Sequence, residues 1–173
     1  MSAVAPLQRF AVGVVVERRK ALSPWAEVIW RPVAVLAGLP EAASWTRLTS
    51  DERSERFYAG AAEIELYRSE ADNYRRNLGS ETPSLWIVLQ PTGDALRPYA
   101  LARVTADPAE GEGYTEAGHA IVEALPMPEA LRDVIAGFVA EHYVERAFEK
   151  RVRDRADPEM LGRRDRRGGR SDG

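Results

Sequence analysis

One amphipathic stripe near the C-terminal end limits what this chain can fold into more than any other feature. After Pro126 and Pro128, the residues Leu131, Val134, Ile135, Phe138 and Val139 recur at helical spacing, with Glu129, Arg132, Asp133 and Glu141 opposite. Proline suits the entry to a helix, because the N–H it lacks would have no intrahelical partner there. A helix with a single apolar face has to bury that face against another element. The upstream sequence offers strands for it to lie on.

Arg9–Arg18 places Phe10, Val12, Val14 and Val16 on one face and Ala11, Gly13 and Val15 on the other, the pattern of a strand covered on both sides. Lys20–Pro24 reads as a turn, Trp25–Leu36 as extended chain with Pro32 at an edge or bulge, and Ser44–Thr49 as a short strand. The charged run Ser50–Glu55 reads as a hairpin connection. Phe57–Tyr67 follows, with Tyr58, Ala62, Ile64 and Leu66 inward and Glu63 and Glu65 outward. Ser69–Leu78 reads as a short helix capped by Ser69 and stopped by Gly79. Leu85–Leu89, Tyr99–Thr105 and Ala120–Leu125 complete the strands, and Asp107–Gly118 is a weak helix or a loop. Strands in runs followed by one helix predict an α+β fold: a mostly antiparallel sheet or small barrel, one long C-terminal amphipathic helix and a disordered basic tail. The expected organisation is a flexible leader over 1–8, one domain over 9–149 and a charged flexible tail over 150–173.

The charge supports that division. The 173 residues carry a formal charge of −3, but from Lys150 onward nine basic residues face five acids, which leaves −7 on residues 1–149. The absence of cysteine removes disulfides, thiolate nucleophiles and zinc–sulfur or iron–sulfur sites. The apolar run Phe10–Val16 is too short to span a bilayer and leads straight into Glu17-Arg18-Arg19-Lys20, so a cytoplasmic protein is expected.

No catalytic set emerges. His142 and Glu145 stand at i, i+3, a conceivable metal pair with no second pair visible; packing or helix C-terminal capping is the preferred role for His142. His119 reads as a surface residue. The carboxylates of Asp107-Pro108-Ala109-Glu110-Gly111-Glu112 and Glu116 miss the alternation of a calcium loop at Ala109 and Gly111, and read as a solvated loop. There is no Gly-x-Ser-x-Gly elbow, and no glycine-rich loop follows the first strand. The tail arginines have interleaved acids and no stacking aromatics, which argues against nucleic acid and leaves a protein-binding or a merely solubilising tail. Of Trp25, Trp30, Trp45 and Trp86, most are expected in the core; Trp25, after Ser23-Pro24, is the candidate exposed anchor.

Several segments together resemble one family: Val12-Gly13-Val14-Val15-Val16-Glu17-Arg18-Arg19, Ser23-Pro24-Trp25, Trp30-Arg31-Pro32-Val33, Leu85-Trp86-Ile87-Val88-Leu89, Val122–Pro128, His142-Tyr143-Val144-Glu145 and Arg153–Arg164. The family is a proteobacterial domain of unknown function encoded near molybdenum-dependent formate dehydrogenase genes, and the resemblance runs over nearly the whole chain. The resemblance implies that setting; together with the missing catalytic set and the acidic body with its basic tail, it leads to the expectation of a non-enzymatic accessory protein, without cofactor of its own, that aids assembly or cofactor loading of such an enzyme by contact with it or with its maturation factors. The candidate interaction residues are Trp25, Phe148, Arg153, Arg155, Asp157, Pro158, Met160, Leu161, Arg163 and Arg164. Within the tail, Asp157 and Pro158 form a helix start, Met160 and Leu161 an apolar anchor, and Arg163 and Arg164 a basic last turn. The rival reading is a small pterin- or nucleotide-binding protein or enzyme of molybdenum cofactor metabolism, with a pocket gathering Arg31, Arg103 and His119.

Overall fold

The valine-rich first strand becomes the spine of the molecule. In the computed structural model, which describes residues 4–25 and 27–145, β1 (Gln8–Lys20) pairs antiparallel on both sides, with β2 (Val28–Leu36) and with β4 (Ser54–Leu66). β3 (Thr46–Ser50) adds to β4, giving the order β2-β1-β4-β3. A second antiparallel sheet runs β6-β5-β7, from β5 (Ser84–Pro91), β6 (Tyr99–Thr105) and β7 (Ile121–Pro126). A 3₁₀ turn at Arg68–Glu70 leads into α1 (Ala71–Leu78), α2 (Pro108–Glu116) joins β6 to β7, and α3 (Glu129–His142) follows β7. The chain divides into a compact unit ending at Tyr143 and a second from Val144, of which only Val144 and Glu145 are described.

This corrects the expected architecture. In place of one sheet or a small barrel under a long C-terminal helix, the described residues form two sheets with three short helices. β4 runs beside β6 and β2 beside β7, but among the described residues no hydrogen-bonded ladder joins the two sheets, so these strands do not close into a barrel. α3 ends at His142, and it packs against α1, whose Tyr74 supplies the apolar partner that a sheet was expected to provide. Its stripe is also narrower than the spacing implied: Leu131, Ile135 and Phe138 are buried while Val134 is exposed. Ser69 falls inside the 3₁₀ turn, and Glu70 stands at the N-cap of α1. Sheet pairing starts within the segment expected as a leader: Leu7 donates its N–H to the Leu66 carbonyl and β1 begins at Gln8. The tail over 150–173 lies outside the described residues.

The buried face of β1 (Val12, Val14, Val16) meets Ile64, Leu66, Leu85, Ile87, Leu89 and Val104 in a common core that also takes Tyr74, Leu131, Ile135 and Phe138. On the opposite face Gly13 leaves room for the Tyr58 ring, whose Cε2 would lie 3.0 Å from an added Cβ. Tyr58 was expected on the core side with Ala62, Ile64 and Leu66. The register shift that pairs Val14 with Gly60 but Val15 with Tyr58 moves it to the other face. One bulged residue reverses the alternation of everything beyond it. Pro32 likewise sits beside a register shift on an edge strand, where its missing donor costs little.

The carboxylate-rich segment is helical, with Asp107 as N-cap accepting the Ala109 N–H at 2.9 Å and Pro108 in the first turn. Asp107 is buried, which corrects its reading as part of a solvated loop. Gly111 lets this helix press onto β5: an added Cβ would stand 2.2 Å from Cγ of Trp86. Helix propensity favours Gly111→Ala by about 1 kcal/mol. A contact that short against an indole ring costs more, in the range of about 1–3 kcal/mol for overpacking. The expected result is a net loss of stability in a urea melt, recovered in part when Trp86→Leu is added. A stabilised single variant would mean that α2 does not lie on Trp86.

Candidate functional site

Two connections meet at one end of the larger sheet. Ser50–Ser54 turns tightly because the Asp51 carboxylate accepts the N–H groups of Arg53 and Ser54, both at 2.8 Å, and the Ser54 hydroxyl at 3.1 Å. Those hydrogen bonds hold the Asp51 carboxyl below its ordinary pKa. The β1–β2 loop is tied across its base by Ala21 N–H to the Glu27 carbonyl, and Lys20 N–H reaches the Arg53 carbonyl. Between loop and turn opens a cleft of about 630 Å³ lined by Arg18, Lys20, Ser23, Glu27, Arg53 and Glu55, among others. Above it the loop exposes two large apolar side chains, Leu22 at 95% and Trp25 at 93%. The Ser23 hydroxyl accepts the Trp25 N–H at 3.3 Å, shaping the loop tip.

One ion-paired group borders the cleft. Glu55 accepts Arg18 at 2.9 Å and Arg47 at 3.2 Å, and its carboxyl is held below the ordinary range by them. The Arg18 guanidinium also lies 5.9 Å from the centre of the Trp30 ring. Trp30 in turn belongs to an aromatic group with Trp45, Phe57 and Tyr99, its ring centres 5.8–6.3 Å from theirs. Trp45 has φ 68°, an uncommon conformation for so bulky a residue, and is fixed by its N–H bond to the Tyr58 carbonyl and by this packing.

On the outer face of the same sheet, Glu17 is 1% exposed beneath three arginines. The register sets Arg31 and Arg56 directly across from it on the two neighbouring strands, and Arg19 lies two residues along β1. Of the residues expected to share a pocket, Arg31 stands here. Arg103 bridges Glu65 (2.9 Å) and Glu110 (2.7 Å) between β4, β6 and α2, and His119 is exposed before β7. The structure brings no two of them together. The interaction candidates Phe148, Arg153, Arg155, Asp157, Pro158, Met160, Leu161, Arg163 and Arg164 lie outside the described residues. Among the described residues no three metal-ligating side chains converge; His142 stacks on Phe138 with ring centres 4.4 Å apart. Trp30, Trp45 and Trp86 are half-buried, and Trp25 is not in the core.

The Arg103 bridge makes stability depend on pH. Hydrogen bonds from Arg103 and then the Tyr67 hydroxyl lower the Glu65 pKa, outweighing burial, which acts the other way. Burial works against the Arg103 charge, but its bonds to Glu65 and Glu110 raise its pKa overall. A depressed carboxylate stabilises the fold above its unfolded pKa of about 4.3, and that contribution is lost as pH falls through the folded value. Denaturant melts of the parent chain should weaken below about pH 4.5. Arg103→Met should be less stable at pH 7 and lose less on acidification; parallel pH curves would contradict this.

With this geometry in view, a family described as a protein of unknown function (DUF3305) matches residues 11–152. The chain belongs to the DUF3305 family. The DUF3305 match includes the whole of the sheet end just described and stops before Arg153, so the tail motif Arg153–Arg164 lies beyond it. No curated protein and no solved structure matches this DUF3305 chain. No helix among its described residues is long and apolar enough to cross a membrane.

Proposed function

We propose that this chain is a non-enzymatic accessory protein that docks a protein partner through the loop end of its larger sheet. The observation that carries the reading is the near-complete exposure of Trp25 and Leu22 on the loop whose Ala21, Ser23 and Pro24 line the cleft. An indole in water forgoes a large burial term, and exposed Trp is the side chain most enriched at the energetic centres of interfaces. Arg18, Lys20 and Arg53 beside it form a polar rim of the kind that steers encounter and fixes orientation.

The partner in this reading is taken from the resemblance of the Val12–Arg19, Ser23–Trp25 and Trp30–Val33 segments to proteins encoded near molybdenum-dependent formate dehydrogenase genes. We infer that it is the dehydrogenase or one of its maturation factors, met in the cytoplasm, with the chain aiding assembly or cofactor loading. Residues Phe148–Arg164 supply a second contact in this reading. A pterin- or nucleotide-binding role has less support, since Arg31, Arg103 and His119 stand on separate parts of the structure.

Tagged full-length chain, expressed in cells that make the dehydrogenase, should co-purify with the enzyme or a maturation factor. Trp25→Ala should abolish that capture and lower dehydrogenase activity while leaving the melting temperature unchanged. Equal capture by the variant would remove the loop from the interface. A fully active enzyme in cells lacking the chain would end the accessory reading.

A further inference from the structure

We propose that Arg19, Arg31 and Arg56, held in place by the buried Glu17 carboxylate, bind a dianionic tetrahedral oxyanion of the phosphate class on the outer face of the larger sheet. Arg31 Nη2 and Arg19 Nε reach one Glu17 oxygen at 3.3 and 3.4 Å, and Arg56 Nε reaches the other at 3.3 Å. Three guanidinium groups are thus gathered around one carboxylate. Each has about half its side chain in solvent while Glu17 has almost none.

Charge bookkeeping separates this from an ordinary surface ion pair. One arginine would neutralise Glu17, yet three are present. Glu17 offsets one of the three charges and Asp51 in the adjacent turn answers part of another, Arg19, which leaves an excess of between one and two positive charges on this face. The nearby Glu55 is already engaged by Arg18 and Arg47. Like charges on neighbouring strands of one sheet face repel, and here they do so within a body whose overall charge is negative. A bound dianion would relieve that repulsion.

The donor chemistry also points to phosphate. Each guanidinium carries five N–H donors in a planar fork, and for each the contact to Glu17 uses only one edge. Forks from three strand positions around a common centre suit an oxyanion with oxygens in three directions, whereas a single carboxylate presents only two. Glu17 is a positioning residue, since its oxygens repel the anion but fix the nitrogens that would hold it.

The test uses the full chain, with the Nε–H signals of Arg19 and Arg56 followed by NMR during addition of inorganic phosphate. Sodium chloride keeps ionic strength constant, so that general screening does not contribute. Saturable shifts at both arginines are expected. Arg31→Gln should weaken phosphate binding about tenfold, in line with loss of a charge-assisted pair. Arg31→Lys, which keeps the charge and secures the test if the glutamine variant unfolds, should weaken it less. Arg76→Gln, at a surface arginine on α1 paired with Asp72, should leave it unchanged. A parallel titration with phenyl phosphate distinguishes the source: tighter binding than inorganic phosphate assigns the site to a monoester, equal binding to the free dianion. Shifts that never saturate, or the same affinity in Arg31→Gln and Arg31→Lys as in the parent, would overturn the site.

Discussion

Phe138→Ala is expected to remove about 3–5 kcal/mol of stability, the range for deleting a buried aromatic ring. Phe138 is buried on α3, meets the Tyr74 ring edge-on with centres 5.9 Å apart, and stacks with His142 on the following turn. Tyr74 cannot move in to fill the gap. Its hydroxyl accepts the Tyr67 N–H at 3.1 Å, and burial pushes its phenol pKa up to about 12. The cavity would therefore stay open between α1 and α3. Since a domain of this size has about 5–15 kcal/mol in total, the variant should unfold at much lower urea concentration. A loss below about 1 kcal/mol would mean that α3 is not docked on α1.

The same contact shows what the sequence could and could not convey. Helical spacing identified α3, and alternation identified most of the strands, because each rests on short-range periodicity. What α3 packs against was not legible: Tyr74 lies in a polar segment, Ala71–Leu78, with nothing local to link it to Phe138. Alternation alone puts Tyr58 on the wrong face, because a bulge at Ala59 leaves no trace in the side-chain pattern. α2 is ambiguous in sequence because Gly111 and Gly113 lower helix propensity. The Asp107-Pro108 pair, an N-cap followed by proline, was the available signal for its start. The need for glycine at 111 comes from Trp86, twenty-five positions upstream.

The candidate sites divide along the same line. The exposure of Trp25 is legible because it follows Ser23-Pro24, so its place on a loop is local information. Glu17 is not. In the run Glu17-Arg18-Arg19-Lys20 it reads as one more solvated charge, and only the pairing of β1 with β2 and β4 sets Arg31 and Arg56 across from it. Arg31 and Arg103 looked equivalent in sequence, yet one faces solvent in a cationic group while the other is enclosed between two carboxylates. Burial and partner count, which separate the two, are properties of the register.

Asn77 supplies the other large effect, through polar groups rather than volume. Its amide is buried at the C-terminal end of α1, where Nδ2 donates to the carbonyls of Ser84 and Ala106, both at 2.8 Å, and Oδ1 accepts the Ser84 N–H at 3.0 Å. One side chain thereby ties α1 to the start of β5 and to the chain just after β6. Asn77→Ala strands three backbone groups; at about 1 kcal/mol or more each, the expected loss is about 3 kcal/mol. Asn77→Asp keeps the shape and the acceptor but turns a carboxylate toward two carbonyl oxygens. Burial and those carbonyls favour the protonated acid, so the folded pKa rises above the unfolded value of about 3.9. The sign follows from linkage: the protonated acid can donate one of the two lost bonds, so the penalty is smallest below the unfolded pKa and grows as pH rises past it. The parent chain runs the other way, since its paired carboxylates weaken it in acid. The stability gap between Asn77→Asp and the parent should therefore be wide at pH 7 and narrow near pH 4, while the gap for Asn77→Ala should vary little. Equal gaps for Asn77→Asp at both pH values would show that residue 77 does not face those carbonyls in the folded protein.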